Sequence, residues 1–398
     1  MSDDFTRRWA LAALAVGLLL RAAYAWRASS ARYLPTSSDG YETIALSIVE
    51  RGEYALAPGR PTMLREPSFP LYLAAVYAVC GRRPGVVIAL NILLSCATGI
   101  LLWGAARRLF GERTALASFW IFMLHPQSIY YCGYFFRETW LCLWAAVLIV
   151  SSLDWSARED DPAGARSALI GGTAAALFGL ANSAVLPGCA LAGLALWFAA
   201  PRRARLRRAA LYFAPLTLAL ALWTARGYAV TGRLVAGSTH GGEEFLQALV
   251  VPPEDLGTER QTRIVAETPI FAETAMLPEA ERNERLMRAA FAWIGAHPAL
   301  YASRAAAGLI KFWRPWPYPR VYQHSYALLV ALSLLSDGWI IPLGFFGLWR
   351  LRARWREAPA FPALVFGLTL VYGLIHAVIR YRMPLMGGMI VAACGAMS

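Results

Sequence analysis

Long apolar stretches, separated by short polar or basic segments, run through almost the whole chain. A helix needs about 20 apolar residues to cross a bilayer core. On this basis the candidate spans are residues 9–26, 85–106, 114–134, 139–154, 168–181, 184–200, 209–226, 325–349, 360–378 and 383–397. The pattern predicts an all-α polytopic membrane protein, a bundle of about ten transmembrane helices.

The composition supports a membrane protein and excludes nucleic acid as a partner. Hydrophobic residues make up 58% of the 398 residues and charged residues 16%, which is more apolar surface than a soluble core of this length can hide. The net charge is +13, but no segment forms a soluble basic face with aromatic residues. The six cysteines lie mostly singly in apolar stretches, which indicates buried side chains rather than disulfides or metal ligands.

The basic residues, all Arg except Lys311, orient the bundle. They cluster in runs at residues 7–8, 107–113, 158–166, 202–208 and 350–356. If the ten stretches are the crossings, all these runs fall on one side, which the positive-inside rule assigns to the cytoplasm. We therefore expect a bacterial inner-membrane protein whose first span is an uncleaved signal anchor.

Two long segments, 27–84 and 227–324, then lie outside. The apolar stretch 69–80 is too short to cross, so we expect a helix at the outer interface; a kinked span through 69–106 is the alternative. Residues 281–313 show apolar positions at helical spacing with interspersed Arg, which predicts surface helices that either cap the bundle or contact substrate. Long outer loops often carry function. We expect the whole chain, 1–398, to form one integral domain.

The first outer segment holds a candidate catalytic acid, Asp39, with Tyr41 and Glu42 close behind it. A carboxylate at the boundary between water and lipid stays ionised at lower cost than one inside a span. If Asp39 is the N-cap of a helix, Asp39 and Glu42 share one side of its first turn. Capping alone would also explain the pattern.

Several arginines are expected at the same outer level. Two prolines hold Arg65 near the membrane surface, and Arg137 with Glu138 begins the fourth span. The last outer turn adds Arg380, Tyr381 and Arg382. Guanidinium groups bind phosphate in a bidentate way, so these residues are candidate phosphate ligands; contact with ordinary lipid headgroups is the alternative.

Two histidines receive different interpretations. His125 precedes Pro126 inside a span, where we expect a kink and a hydrogen-bonded residue of the bundle without a catalytic role. His240 lies in a glycine-rich outer loop, which either closes over a substrate or simply turns.

The order of these motifs resembles that of the GT-C glycosyltransferases, in particular the branch of protein O-mannosyltransferases and lipid A aminoarabinose transferases. The resemblance covers most of the chain through short motifs. They are Asp39-Gly40-Tyr41, Tyr54, Arg65-Glu66-Pro67-Ser68-Phe69-Pro70-Leu71-Tyr72, Arg107-Arg108-Leu109-Phe110-Gly111, Ala229-Val230-Thr231-Gly232-Arg233, Thr239-His240-Gly241-Gly242, His297-Pro298 and Arg380-Tyr381-Arg382-Met383-Pro384.

This resemblance implies inverting transfer of a sugar from a polyprenyl-phosphate donor at the outer leaflet, with Asp39 next to the reacting centre. The roles expected on this basis are catalytic for Asp39 and Glu138, phosphate binding for Arg65, Arg137, Arg380 and Arg382, and substrate binding for Tyr41, Glu42, His240 and Tyr381. Two departures leave the acceptor, whether lipid, glycan or protein, undetermined. Gly40 follows Asp39 where the mannosyltransferases have Glu, and Glu138 stands where the aminoarabinose enzymes have Asp.

Three further questions stay open from the sequence. A divalent metal between Asp39 and Glu138 is possible, but two carboxylates alone do not assign one. A ligase or polymerase that uses a lipid-pyrophosphate donor shares the predicted topology. A flippase would place charges near the middle of spans, whereas the polar residues here gather at the outer ends, with His125 and Asn91 the main exceptions.

Overall fold

The computed structural model describes residues 3–30, 39–252, 255–256, 258–317 and 325–398. This part of the chain is helical apart from one hairpin, β1 (Ala55–Ala57) and β2 (Arg60–Pro61), which confirms the all-α prediction. The helices are α1 (Asp3–Ser30), α2 (Tyr41–Arg51), α3 (Ser68–Cys80), α4 (Pro84–Phe110), α5 (Glu112–Leu124), α6 (Pro126–Cys132), α7 (Glu138–Ser152), α8 (Pro162–Gly179), α9 (Leu186–Ala199), α10 (Arg205–Thr231), α11 (Gly241–Val250), α12 (Glu259–Glu267), α13 (Pro269–Glu273), α14 (Glu279–Ala296), α15 (Pro298–Phe312), α16 (Tyr326–Leu351), α17 (Ala360–Leu374) and α18 (Met383–Ala396).

The chain is a membrane protein. Within the described ranges, four helical segments are long and apolar enough to cross a bilayer: Asp4–Ala28, Pro84–Phe110, Arg205–Thr231 and Tyr326–Glu357. The other predicted spans coincide with shorter helices, so the count of about ten crossings stays a prediction.

Helix α18 lies at the centre of the bundle. Residues 383–395 are all buried, and the helix packs against α4, α5, α7 and α16. The approach to α16 is very close, because a Cβ placed on Gly347 would lie 2.0 Å from the carbonyl oxygen of Ala392. Small residues that let two backbones meet are typical of helix contacts inside membranes.

The predicted span 114–134 is interrupted at the position where we expected a kink. It breaks into α5 and α6 at His125-Pro126, because proline has no N–H to continue the backbone ladder. The break leaves carbonyl oxygens in the last turn of α5 without a helical partner. Arg21 of α1 donates to two of them, those of Met123 at 2.8 Å and Phe122 at 3.5 Å. A buried cation at a helix C-terminus is also favoured by the helix dipole.

The segment 27–84 differs from expectation at residues 39 and 40. Gly40, not Asp39, is the N-cap of α2, with φ of 80° and no side-chain cap hydrogen bond. The positive φ favours glycine and leaves the Asp39 carboxylate free of a capping role. Helix α3 is a separate helix, which residues 81–83 divide from α4, and its position at the outer interface stays a prediction.

The second long segment, 227–324, contains α11–α15. Helices α11 and α14 share a small apolar core of their own, built on Phe245, Leu246, Leu286 and Ala290. The predicted helical region 281–313 forms α14 and α15, which meet at His297-Pro298.

Candidate active site

Four separate segments bring charged side chains together near the start of α7. They are the entry to α2, the segment Arg65-Glu66 before α3, the pair Arg137-Glu138 at the start of α7, and the short helix Ile379–Arg382 between α17 and α18. Glu138 is the first residue of its helix, a position where the helix dipole stabilises a carboxylate.

Arg380 lies between the two expected catalytic acids. Its Nε is 2.9 Å from Oε1 of Glu138, and one of its Nη atoms is 4.0 Å from Oδ2 of Asp39. The negative charge of Glu138 holds the pKa of Arg380 well above its ordinary value, against the effect of burial. The side chain still has 28% of its surface exposed, so one guanidinium joins both acids at an accessible place.

Glu138 itself is almost enclosed, with 3% of its side chain exposed. Its Oε2 is buried and accepts no hydrogen bond from the described chain. The residue lines a small cavity whose other walls include the hydroxyls of Ser95, Ser128 and Thr139. A buried carboxylate oxygen without a donor is costly, so this oxygen is suited to a water molecule or a substrate hydroxyl.

Arg65 positions Asp39 through the backbone. Its Nε donates to the carbonyl oxygen of Asp39 at 2.8 Å, and its guanidinium lies 5.6 Å from the ring centroid of Tyr41. Arg137 lies 6.0 Å from the same centroid. Burial raises the pKa of Tyr41 to about 12, although both arginines oppose the rise, so the hydroxyl stays protonated near neutral pH.

Glu66 is the partner of Arg137. The sequence interpretation assigned Glu66 no separate role, since it appeared there only as part of a motif. Its Oε2 accepts from Arg137 at 3.2 Å, and its Oε1 accepts from the backbone N–H and hydroxyl of Ser183 at 2.9 and 2.7 Å. Burial acts to lower the pKa of Arg137, but Tyr41 and Glu66 raise it overall. The pair therefore fixes Arg137 beside the site, with its Nε buried and unpaired among the described residues.

Glu42 is not brought to Asp39. It is buried, and its Oε1 accepts from the hydroxyl of Tyr77 at 2.9 Å and from Nε of Arg82 at 3.1 Å. These contacts join α2 to α3 and its following turn. The geometry favours a structural role for Glu42 over the expected contact with substrate.

Arg382 is likewise directed inward. It is fully buried, and it pairs with Asp337 of α16 at 2.6 Å and donates to the carbonyl oxygen of Phe312 at 3.0 Å. His125 completes the cluster, with Nε2 2.8 Å from Asp337 and Nδ1 3.2 Å from Ser128. His125 is thus hydrogen-bonded within the bundle as expected, whereas Arg382 does not face the accessible site.

Asp337 and Arg21 correct the expectation that His125 and Asn91 are the main polar exceptions inside spans. Both are fully buried in long apolar helices. Each is recognisable in the sequence as a charged residue within an apolar stretch. Burying a charge there costs free energy, so such a residue usually has a partner or a function.

His240 and Tyr381 lie at the rim of the site and are joined through intermediate residues. Glu244 accepts from His240 at 2.8 Å and from His376 at 2.9 Å, and the ring of His376 lies edge-on to that of Tyr381. Burial acts to raise the pKa of Glu244, but the two histidines together lower it well below its ordinary value. Tyr381 also stacks on Tyr372 with centroids 4.8 Å apart.

An apolar groove of about 350 Å³ leads to Arg380. Its walls come from α1, α5, α6, α16 and the short helix Ile379–Arg382. The apolar lining includes Leu124, Ile129, Leu329, Leu332 and Ile379. Arg380 is the charged residue of this lining. The apolar groove therefore ends at the cluster of acids and arginines.

The arrangement does not fit a metal between Asp39 and Glu138. The guanidinium of Arg380 stands between the two carboxylates, in the place that a bridging cation would take. Across the described ranges, no three His, Cys, Asp or Glu side chains form a group that could hold an ion.

No protein-family model and no curated protein matches the chain. In fold it is similar to the oligosaccharyltransferase of Archaeoglobus fulgidus tethered with an acceptor peptide containing the NVT sequon, with 13% identity, a TM-score of 0.49, and coverage of 100% of this chain and 50% of that chain. It is also similar to the archaeal oligosaccharyltransferase AglB of the same organism in complex with an inhibitory peptide and a dolichol-phosphate (12%, TM-score 0.45, 99% and 50%).

A third similar structure is ArnT from Cupriavidus metallidurans bound to undecaprenyl phosphate, with 12% identity, a TM-score of 0.45, and coverage of 100% of this chain and 78% of that chain. The chain spans half the length of the two oligosaccharyltransferase chains. At these identities the three likenesses concern the fold alone.

Proposed function

We propose that this protein is a membrane glycosyltransferase of the GT-C type that moves a sugar from a polyprenyl-phosphate donor to an acceptor hydroxyl, with inversion. The observation that carries the proposal is the position of Arg380, which both lines the apolar groove and lies between Asp39 and Glu138. A lipid phosphate has the same two parts, an apolar tail and an anionic head.

In this proposal the prenyl tail lies in the groove and its phosphate meets Arg380. Arg65 is a second phosphate ligand, because within the described chain only its Nε donates to a protein oxygen and its two Nη groups stay available. Arg137 supplies a third positive charge behind Tyr41. A planar guanidinium can donate two parallel hydrogen bonds to one phosphate, so an arginine suits this ligand better than a side chain whose charge sits on a single atom.

Asp39 acts as the base. Its carboxylate accepts the proton of the acceptor hydroxyl while that oxygen forms a bond to the anomeric carbon. The bond from the anomeric carbon to the phosphate oxygen breaks on the opposite face, and its electron pair stays on the phosphate. The configuration at the anomeric carbon therefore inverts.

The arginines stabilise the leaving group. The phosphodiester becomes a monoester, so negative charge grows on its oxygens, and a fixed donor at such a place is worth about 3 kcal/mol in the activation free energy. Glu138 holds Arg380 in position and offers its unpaired Oε2 to the acceptor or to a water.

The site faces the outer side of a bacterial inner membrane in this proposal, because the arginine runs then lie in the cytoplasm. The acceptor is a lipid, glycan or protein that reaches this face. Tyr381, His240 and the loop that carries α11 lie at the rim and contact the acceptor or the sugar.

The test is transfer by the purified protein in vesicles, with a radiolabelled sugar on either undecaprenyl phosphate or undecaprenyl pyrophosphate. We expect covalent transfer from the monophosphate donor to acceptors of a membrane extract. Transfer only from the pyrophosphate donor would indicate the ligase or polymerase. Movement of the labelled lipid across the bilayer without a covalent product would indicate the flippase.

A further inference from the structure

The buried cluster of Asp337, His125 and Arg382 has no part in the reaction described above. All three side chains are fully buried, and they come from three segments that are distant in the chain: α16, the break between α5 and α6, and the turn after α17. Asp337 lies near the middle of an apolar helix, where a carboxylate is costly unless it is paired.

The partners of Asp337 lead to the site from two directions. Arg382 is two residues after Arg380 in the short helix Ile379–Arg382, so a fixed Arg382 fixes the backbone that carries Arg380. His125 precedes α6, which leads within a few residues to Arg137 and Glu138. The Asp337 carboxylate therefore holds two segments of the chain. One carries Arg380 and the other leads to Glu138, and these two residues form an ion pair.

Gln127 ties the same carboxylate to the groove. Its Nε2 donates to Oδ2 of Asp337 at 3.2 Å, and Gln127 is itself part of the groove lining. Arg382 donates to the same Oδ2. The cluster therefore forms a rigid polar support behind the apolar groove, next to the place where the groove reaches Arg380.

We infer that Asp337 is a positioning residue, which fixes Arg380 relative to Glu138 through Arg382 and His125; its effect on catalysis rests on the proposed function. Displacement of about 1 Å in a charged group at a reacting centre can cost about 100-fold in rate. Asp337→Asn is thus expected to lower kcat about 100-fold, with a smaller rise in the KM for the donor, because the groove that holds the prenyl tail is unchanged.

A double-mutant cycle separates positioning from general damage. If Asp337 acts through Arg380, Asp337→Asn has almost no further effect in an Arg380→Ala chain. If the double variant instead loses activity by the product of the two single losses, the inference is overturned. Ser336→Ala is the matched control, because among the described residues this neighbour on α16 bonds to carbonyl oxygens of its own helix.

Loss of one buried charge can prevent folding, since it leaves Arg382 unpaired. The second variant therefore carries both Asp337→Asn and Arg382→Gln, which leaves no lone charge. We expect it to reach the membrane in normal yield and to show the same loss of kcat. Normal kcat in this folded variant would overturn the inference.

A third measurement needs no turnover. Glu138→Cys and Arg380→Cys are placed in a chain whose six native cysteines are replaced, and a short bifunctional thiol reagent links them. We expect efficient linking, retained with Ser336→Ala and reduced at least about 5-fold with Asp337→Asn. Unchanged linking would contradict the inference. Reduced linking with Asp337→Asn, together with no sugar transfer by the natural chain, would support the inference and contradict the proposed function.

Discussion

Arg65 and Asp39 are joined through the backbone and not through their charges. The guanidinium donates from Nε to the carbonyl oxygen of Asp39 at 2.8 Å, while the Asp39 carboxylate meets Arg380 only at 4.0 Å. An ion pair at that distance with 25% of the carboxylate side chain exposed is weak. The contact therefore orders the loop and leaves the carboxylate free to accept a proton.

Asp39→Asn should abolish transfer without harming the fold. The substitution keeps the shape and the backbone contact with Arg65 but removes the base, which typically contributes 10² to 10⁴ in rate. The measurement is transfer from the labelled polyprenyl-phosphate donor, together with membrane yield. Asp154→Asn is the control, because Asp154 pairs with Arg108 at an exposed place outside the site. Full activity of Asp39→Asn would remove the proposed base.

Glu66→Gln should destabilise the protein as well as slow it. Glu66 is buried and accepts three hydrogen bonds, one of them from the buried Arg137. Removal of one partner from a buried ion pair costs about 3–5 kcal/mol. Thermal unfolding in detergent should show a clear drop in the midpoint. Glu53→Gln, whose carboxylate bonds only to the exposed N–H of Gly59, should leave it unchanged; equal midpoints for both variants would contradict the assignment.

The contact of Glu244 with His240 and His376 should weaken in acid. The pKa of Glu244 is lowered in the folded protein, so its stabilising effect is present above the ordinary carboxyl value of about 4.5 and is lost as the pH falls from there through the lowered value. The difference in unfolding midpoint between the natural chain and Glu244→Gln should be clear at pH 6 and should shrink toward pH 3. A constant difference would show that the ionised carboxylate is not responsible.

Gly347→Ala should loosen the packing of α16 on α18. The added methyl group would lie 2.0 Å from a backbone oxygen of α18, so one helix must move away. Overpacking of this kind typically costs about 1–3 kcal/mol. The control is Gly104→Ala on α4, where no heavy atom lies within 4 Å of the new methyl. A thermal midpoint lowered equally in both variants would contradict a specific role for the close approach.

Hydrophobic length and helix signals predicted most of the fold. Nine of the ten predicted spans coincide with single helices, because an apolar stretch bounded by charges leaves few alternatives in a membrane. The tenth, 114–134, is divided at Pro126, where the sequence predicted a kink. Its missing N–H was visible in the sequence, but the partner that stabilises the break, Arg21, lies about a hundred residues earlier.

The site was predictable only in part. The sequence placed Asp39, Arg137, Glu138 and Arg380 at one membrane level, and the structure brings these residues together. The partners of each charge depend on tertiary contacts that spacing does not reveal. Glu42 turned to Arg82, Arg382 turned to Asp337, and Glu66 took the place beside Arg137.

The bond from Arg21 to the end of α5 has a consequence for biogenesis. The first helix is made long before α5, and its arginine lacks the carbonyl partners at residues 122–123 until about a hundred further residues have emerged from the ribosome. Before α4 and α5 are made, the carbonyl oxygen of Gly17 in the same helix is already within reach of this side chain, whereas its bonds to Ser95 and Met123 depend on residues synthesised much later.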